Sequence, residues 1–497
     1  MVREIAEMSD RRRNSPRASS DSDSNSEDEE FDDAVTVLAL KLIQRNRIRR
    51  YFEEVSASAR LPSSLVIGIN VVRKPLIDTH PPGAQQHPAM AGAGDGSEPK
   101  VCLVHLDLGV GGAERLMVDI GLALQSKGNP VQIVTTHHDR NHCFPETLDD
   151  RFKVVVVGDW LPRSILGHFY ALCSYLRMMV AALYVVWCND FQPDIIICDQ
   201  VSACVPILRL CRKARIIFYC HFPDLMLSKP GGLLKRIYRW PLDALEQWST
   251  KFADAVLVNS HFTGRVFREV FPRLSHVQLR VLYPAASLSA VERPLEGTLE
   301  ELGIDKPQGA LFLSLNRFER KKNLSLALHA LQLASRETPV HLIMAGGYDP
   351  ECRENVEHWD ELVSLAKQLG VQDRVNFVKS PSEAAKLLLL HACRAVVYTP
   401  ANEHFGIVPV EAMCMRRAVV ACNSGGPTET VVHNETGLLC DPTPKDFAAA
   451  LVRLARDRSL TQEMGERGRK RAEELFSWQR FVSEVHEVAF GDDKHKQ

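Results

Sequence analysis

Short apolar runs alternate with helical stretches through most of this chain, and the alternation starts twice. The first series opens at 101–106. A glycine turn follows, Gly109-Val110-Gly111-Gly112, and then a helical spacing of Met117, Ile120, Leu122 and Leu124. Lys127-Gly128-Asn129 stops that helix, and 131–134 reads as the next strand. Strand, glycine turn, helix and strand in this order open a parallel, doubly wound sheet. Further strands are predicted at 154–157, 195–198, 216–220 and 255–258. After Tyr283-Pro284 a second series begins, with strands at 311–315, 340–345, 375–378, 395–398 and 418–421. The pattern predicts an α/β chain of two Rossmann-like domains, at 100–290 and 291–477. A terminal helix at 478–490, within a last segment 478–497, is expected to return to the first domain.

The stretch before the first strand has another character. Residues 1–33 combine Arg11-Arg12-Arg13, serine/aspartate alternation and Glu27-Asp28-Glu29-Glu30. Such a segment buries too little apolar surface to offset the entropy of folding. Residues 36–54 read as a helix ending in a basic stretch, and 78–99 as a Pro/Gly/Ala-rich linker. Residues 1–99 are therefore expected to be a disordered or appended extension. The charges near Met1 leave no room for the apolar core of a signal peptide.

Composition narrows the function. The 497 residues are 45% apolar and 25% charged, with a net charge of −2, so a bulk electrostatic case for nucleic acid is absent. The 13 cysteines are scattered without a C-x-x-C pair, which argues for reduced thiols and against a structural zinc site.

The chemistry concentrates in the second series. Asn402-Glu403-His404-Phe405-Gly406-Ile407-Val408-Pro409-Val410-Glu411 places seven residues between two carboxylates. Pro409 fits the first turn of a helix, which puts Glu411 on the helix and Glu403 in the loop before it. The two can then reach different parts of one ligand. Ser424-Gly425-Gly426-Pro427 is a turn that can open a short helix. Upstream, Arg317 and Lys322 flank a strand-to-helix junction in Asn316-Arg317-Phe318-Glu319-Arg320-Lys321-Lys322-Asn323. Cations are poor company for a helix N-terminus, so their presence there points to an anionic ligand. Fixed cations stabilise a departing diphosphate without a metal. A D-x-D pattern occurs only in the tail, at Asp21-Ser22-Asp23, so no metal and no cofactor are expected.

In the first series, Gly111 and Gly112 would let a ligand approach the backbone at a helix start, or serve the turn alone. His221 follows the strand 216–220, where open α/β sheets hold their ligands; it either meets the ligand or fills the core.

These motifs together resemble the family-4-type retaining glycosyltransferases of GT-B fold. Segments of the first series, His105 to Arg115, Gly158 to Arg163, Cys198 to Cys204 and Phe218 to Asp224, make the chain similar to the α-1,3/α-1,6-mannosyltransferases of lipid-linked oligosaccharide assembly. The resemblance covers about 100–490. It implies GDP-mannose as donor, a dolichyl-diphosphate-linked Man-GlcNAc2 acceptor, and a place on the cytosolic face of the endoplasmic reticulum membrane. It leaves room for a complex with other early mannosyltransferases. Carried over, Glu403 lies near the mannose, with Phe405, Gly406 and Ile407 in the same donor loop. Glu411 meets the ribose and Arg317 and Lys322 the diphosphate, while Gly111, Gly112 and His221 face the reaction centre. A UDP-sugar transferase of the same fold and a non-catalytic scaffold are the competing readings. The four intact charged residues speak against the scaffold.

A lipid-linked acceptor requires membrane contact. Residues 165–188 are apolar and aromatic but interrupted by Arg177, which suits an interfacial or a buried helix better than a span. The stretch containing Lys235, Arg236, Arg239 and Trp240 mixes cations with apolar side chains and is the stronger candidate for anionic lipid.

Overall fold

The computed structural model describes residues 98–491 except positions 150, 166, 229–231, 287–293, 306 and 308. The expected tail, the helix at 36–54 and most of the linker lie outside the described residues.

Two parallel sheets are present. The first runs β1 Val101–Asp107, β2 Val131–His137, β3 Lys153–Val156, β4 Ile195–Asp199, β5 Arg215–Cys220, β6 Ala255–Val258 and β7 Leu279–Val281. Its spatial order is β3-β2-β1-β4-β5-β6-β7. The second runs β8 Ala310–Leu315, β9 Val340–Gly346, β10 Val375–Lys379, β11 Ala395–Tyr398, β12 Ala418–Cys422 and β13 Gly437–Cys440, in the order β10-β9-β8-β11-β12-β13. Central strands such as β4, β8, β9 and β12 are buried along their whole length. That is why they read as continuous apolar runs: helices cover both faces of a parallel sheet.

The alternation predicts eleven of these strands. It misses β7 and β13, which have three and four residues and sit at sheet edges. An edge strand that short carries too few β-branched residues to stand out from a loop.

Each sheet reverses its winding at one place: between β1 and β4 in the first, and between β8 and β11 in the second. The crevice beyond the carboxyl ends of such strand pairs is where open α/β sheets bind ligands. Both proposed reaction clusters stand at these two positions.

The helix Trp478–Phe490 inserts Phe481, Val482, Val485, Val488 and Ala489 into the core of the first sheet, beside Val101, Leu103 and Met117. The helix Tyr170–Trp187 is the one helix among the described residues long and apolar enough to cross a membrane. One face of it is buried, through Cys173, Tyr175, Arg177, Met178, Ala181, Ala182 and Val185. Arg177 is 2% exposed and donates to Asp107 at the end of β1, at 2.7 and 3.4 Å. The cation that interrupts the apolar run is thus a tether to the sheet.

Candidate active site

At the second switch point the loop after β8 forms a single 3-10 turn, Arg320–Lys322, and Asn323 then adopts a left-handed φ of 49° before the helix Ser325–Ala334. The Thr399 hydroxyl, just past β11, donates to the Lys322 carbonyl at 2.8 Å and fixes this turn against the neighbouring strand end. Lys322 consequently reaches Glu403, with Nζ 2.6 Å from Oε2. Both side chains are largely buried, at 16% and 24% exposure. Arg317 lies further out, 58% exposed, with its guanidinium 3.7 Å from the Glu319 carboxylate.

The helix predicted from Pro409 runs Ile407–Cys414, with Gly406 as its N-cap at φ 80°. Glu403 precedes it and Glu411 lies within it. Glu411 accepts from Lys386 at 3.1 Å, and the same ammonium is 2.9 Å from Glu383. Burial raises the Glu411 carboxyl above the usual range; Lys386 opposes this and Glu383 adds to it. Lys386 itself is held above its usual range: burial works against its charge, but Glu411 and Glu383 prevail. Sequence reasoning missed Lys386, since a lysine on an ordinary amphipathic helix carries no motif.

The glycine turn explains itself by contact. Gly425 has φ 67°, and a Cβ there would lie 2.5 Å from the Glu403 carbonyl oxygen; one on Gly426 would lie 2.4 Å from the Phe405 Cα. Gly426 donates to the Glu403 carbonyl at 2.7 Å. Only residues without a side chain let this turn buttress the Glu403 loop. Phe405 needs a correction as a donor contact. Its ring is buried between Tyr283 and Phe476, each 5.7 Å away, so only its backbone remains for a ligand. Ile407 is 37% exposed.

In the first sheet, Gly111 is the N-cap and Gly112 the first residue of the helix Gly112–Gln125. A Cβ on Gly111 would meet the Glu114 carboxylate at 2.2 Å, whereas one on Gly112 would meet nothing within 4 Å. His221, directly after β5, is hydrogen-bonded to Asp199 at 2.9 Å, and Asp199 also bonds His105 at 2.8 Å. Asp199, at the end of β4, and His105, within β1, were not singled out from the sequence because each reads as one polar residue in an apolar strand.

The two halves meet through these loops. Phe222 stacks on His404, with ring centroids 3.8 Å apart and planes within 11°. Burial pushes the His404 imidazole down to about 4, with Lys322 and His221 adding to that effect and Glu403 opposing it. Ser260 donates to the His404 carbonyl at 2.5 Å. Glu429, just past the glycine turn, caps a helix of the first half: its carboxylate accepts from the backbone of His261 at 2.8 Å and of Phe262, and from the Tyr283 hydroxyl at 3.2 Å.

Among the proposed membrane residues, Lys235, Arg236, Arg239 and Trp240 lie on the helix Leu233–Thr250. Trp240 is 74% exposed and Arg236 is exposed, but Arg239 is buried at 8%. Arg239 is thereby removed from the set of surface cations.

Comparison with known proteins places the chain. Residues 110–289 match the Glycosyltransferase Family 4 model and residues 301–471 match Glycosyl transferases group 1. The human alpha-1,3/1,6-mannosyltransferase ALG2 is 48% identical over 398 residues, covering 78% of this chain and 95% of that protein. The Dictyostelium discoideum protein of the same name is 39% identical, covering 79% and 98%. Among solved structures, sucrose-phosphate synthase from Thermosynechococcus elongatus has a TM-score of 0.63 at 20% identity, covering 79% of this chain and 98% of that one. The glycosyltransferase WaaG has a TM-score of 0.59 at 15% identity, covering 79% and 100%. At these identities the structural likeness carries the fold, which is GT-B.

Proposed function

The chain belongs to the α-1,3/1,6-mannosyltransferase family of glycosyltransferases, and on that premise we propose that it uses GDP-mannose to extend dolichyl-diphosphate-linked Man-GlcNAc2. An α-1,3 and then an α-1,6 mannose are added at the cytosolic face of the endoplasmic reticulum membrane, in N-glycan precursor assembly. The observation that carries this reading is the Lys322–Glu403 pair at the second switch point, 2.6 Å apart with both groups largely withdrawn from water.

A sugar nucleotide carries two features such a pair suits. Its diphosphate gains charge as the glycosidic bond breaks, and a partly desolvated ammonium stabilises that charge more in the transition state than in the ground state. Lys322 takes this role, with the exposed Arg317 closing over the outer phosphate oxygens. Glu403, released from Lys322, accepts from mannose hydroxyls. Glu411, fixed by Lys386, accepts from the ribose. Gly111 and Gly112 at their helix start, with His221, border the sugar from the first half. Transfer proceeds with retention of configuration and without a metal. The helix bearing Lys235, Arg236 and Trp240 meets anionic lipid near the acceptor, since such a helix gains both charge attraction and apolar burial.

The test is incubation of membranes containing the protein with labelled GDP-mannose and synthetic Man-GlcNAc2-diphosphate-lipid, in the presence and absence of a chelator. Two successive mannose additions, insensitive to the chelator, are expected. Label transferred from a UDP-sugar instead would overturn the donor assignment. Loss of transfer on chelation, restored by a divalent ion, would overturn the metal-free one.

A further inference from the structure

We infer that Asp199 is a positioning residue for the transfer, holding the His221 ring in one orientation with a proton on Nε2, through a buried His105–Asp199–His221 bridge. The inference rests on the reading that places His221 beside the sugar, and it adds two residues to that site.

The argument starts from hydrogen-bond polarity. His105 is wholly buried, and both of its ring nitrogens are bonded. Nδ1 lies 2.8 Å from the Asp199 carboxylate and Nε2 lies 3.0 Å from the Asp107 carbonyl oxygen. A carboxylate and a carbonyl both accept, so both nitrogens must donate, and His105 is an imidazolium. Its environment agrees: burial works against the charge, but the Asp199 carboxylate outweighs it, and Glu114 adds to it at 4.0 Å, so the imidazole sits above its ordinary value. Asp199, also wholly buried, is pushed up by burial and pulled further down by its two histidines, ending below the usual carboxylate range. An unpaired charge would be costly at this depth; a matched pair is tolerated.

The second oxygen of Asp199 faces His221. It receives His221 Nε2–H at 2.9 Å. The proton is thereby fixed on Nε2. Nδ1 has no hydrogen-bond partner among the described residues and is left to meet a ligand. The ring is 21% exposed and rests against Tyr219, with centroids 4.8 Å apart. The next residue, Phe222, stacks on His404 in the Glu403 loop, which carries the His221 loop to the second half of the site. A free, oriented imidazole nitrogen there suits a sugar hydroxyl, which both donates and accepts hydrogen bonds.

The bridge also uses the switch point of the first sheet. His105 is in β1, Asp199 ends β4 and His221 follows β5, so three adjacent strands each supply one member.

Two readouts test the inference on the full-length protein. The first is independent of activity: nitrogen chemical shifts of labelled histidines, with the His221 signal assigned by its absence in His221→Ala. His221 should carry a proton on Nε2. Asp199→Asn should abolish that preference. His105→Gln, which keeps Asp199, should preserve the Nε2 proton and serves as the second variant if Asp199→Asn does not fold. A His221 found in the Nδ1-protonated form in the wild type, or retaining its tautomer in Asp199→Asn, overturns the bridge. The second readout is kinetic. Asp199→Asn should lower kcat for mannose transfer ten- to a hundredfold while KM for GDP-mannose stays within threefold. The double variant Asp199→Asn/His221→Ala should be no slower than His221→Ala alone, because the two act as a unit. Losses that multiply would show that Asp199 acts apart from His221 and would overturn the inference. A wild type that transfers no mannose would remove the functional reading, while the tautomer measurement would still decide the bridge.

Discussion

Replacing Glu429 by Gln should loosen the junction between the two halves, and the size of the effect follows from the helix it caps. The helix His261–Val270 begins with three backbone N–H groups, on His261, Phe262 and Thr263, that lack an intrahelical acceptor, while Gly264 makes the first helical bond, to the Ser260 carbonyl at 3.0 Å. Ser260 Oγ accepts from Thr263 at 3.0 Å. The remaining two, on His261 and Phe262, go to the two oxygens of Glu429 from the other half of the molecule. Gln retains one acceptor but turns an amide N–H₂ toward the second donor, so one charge-assisted bond becomes a clash of donors. Such a bond contributes ~1.5–3 kcal/mol, and the charge at the helix start a further ~0.3–1 kcal/mol. Partial exposure of the carboxylate screens this, leaving about 2 kcal/mol. For a domain of this size that lowers Tm by roughly 4–8 °C. Tyr283 offers an internal reporter: burial and then Glu429 push its hydroxyl up to about 12, so its ultraviolet titration should move down in Glu429→Gln. Calorimetry and that titration check the reasoning together. A variant with unchanged Tm and unchanged tyrosine titration would show that the carboxylate does not hold the two halves.

Four further outcomes are expected. Lys322→Ala should lower kcat roughly a hundred- to a thousandfold, with a smaller change in KM for GDP-mannose; steady-state kinetics with kcat within threefold of wild type would exclude Lys322 from the charge stabilisation. Glu411→Ala should raise the KM for GDP-mannose ten- to a hundredfold, from ~1.5–3 kcal/mol of lost hydrogen bonding, while Lys386 retains Glu383 as a partner; an unchanged KM in folded protein removes Glu411 from the ribose. His404 is held near 4 against an unfolded value of 6.5, so the unfolded chain takes up its proton first as pH falls. The stability due to the neutral ring is full above pH 6.5 and is lost toward pH 4, by about 2 kcal/mol at pH 5. Thermal melts of His404→Phe should therefore fall less between pH 7 and 5 than those of the wild type, and parallel curves would contradict the assignment. Lys235→Glu with Arg236→Glu should weaken flotation with anionic vesicles, at ~1 kcal/mol per cation, and slow transfer to a lipid acceptor but not to a short-chain soluble one; equal loss on both acceptors would refute a membrane role.

Strand positions were legible because parallel strands buried on both faces leave apolar runs that local sequence records directly. The helix start after Glu403 was legible for the same local reason, through Gly406 and Pro409. What local sequence does not record is who sits opposite. Glu429 sits in its own short helix, Pro427–Thr430, yet it caps one that starts 168 residues before it, at His261. Lys386 and Asp199 carry no motif and gain their meaning only when winding brings them to Glu411 and His221. Arg239 and Phe405 show the converse: a basic stretch and a motif neighbour look available until folding turns one inward and buries the other. A pattern along the chain predicts which residues share an element, not which elements share a residue.

The ligand-free charges have a common arrangement that bears on how donor binding is coupled to sugar recognition. Glu403 is matched by Lys322, Glu411 by Lys386, and Asp199 by His105. These pairs differ in what a ligand can do to them. His105 and Asp199 are wholly buried, and Lys386 has a second acid in Glu383. Among the described residues the Lys322–Glu403 pair has no such reserve. Under the proposed roles, a diphosphate that draws Lys322 away strips Glu403 of its counter-ion while the carboxylate remains three-quarters buried. An uncompensated carboxylate at that depth is unfavourable until hydroxyl donors reach it. GDP alone cannot supply them, whereas the mannose of GDP-mannose can. The sugar is then recognised through the cost of its absence, and the lysine that stabilises the leaving group is the same one whose departure makes the carboxylate demand a sugar.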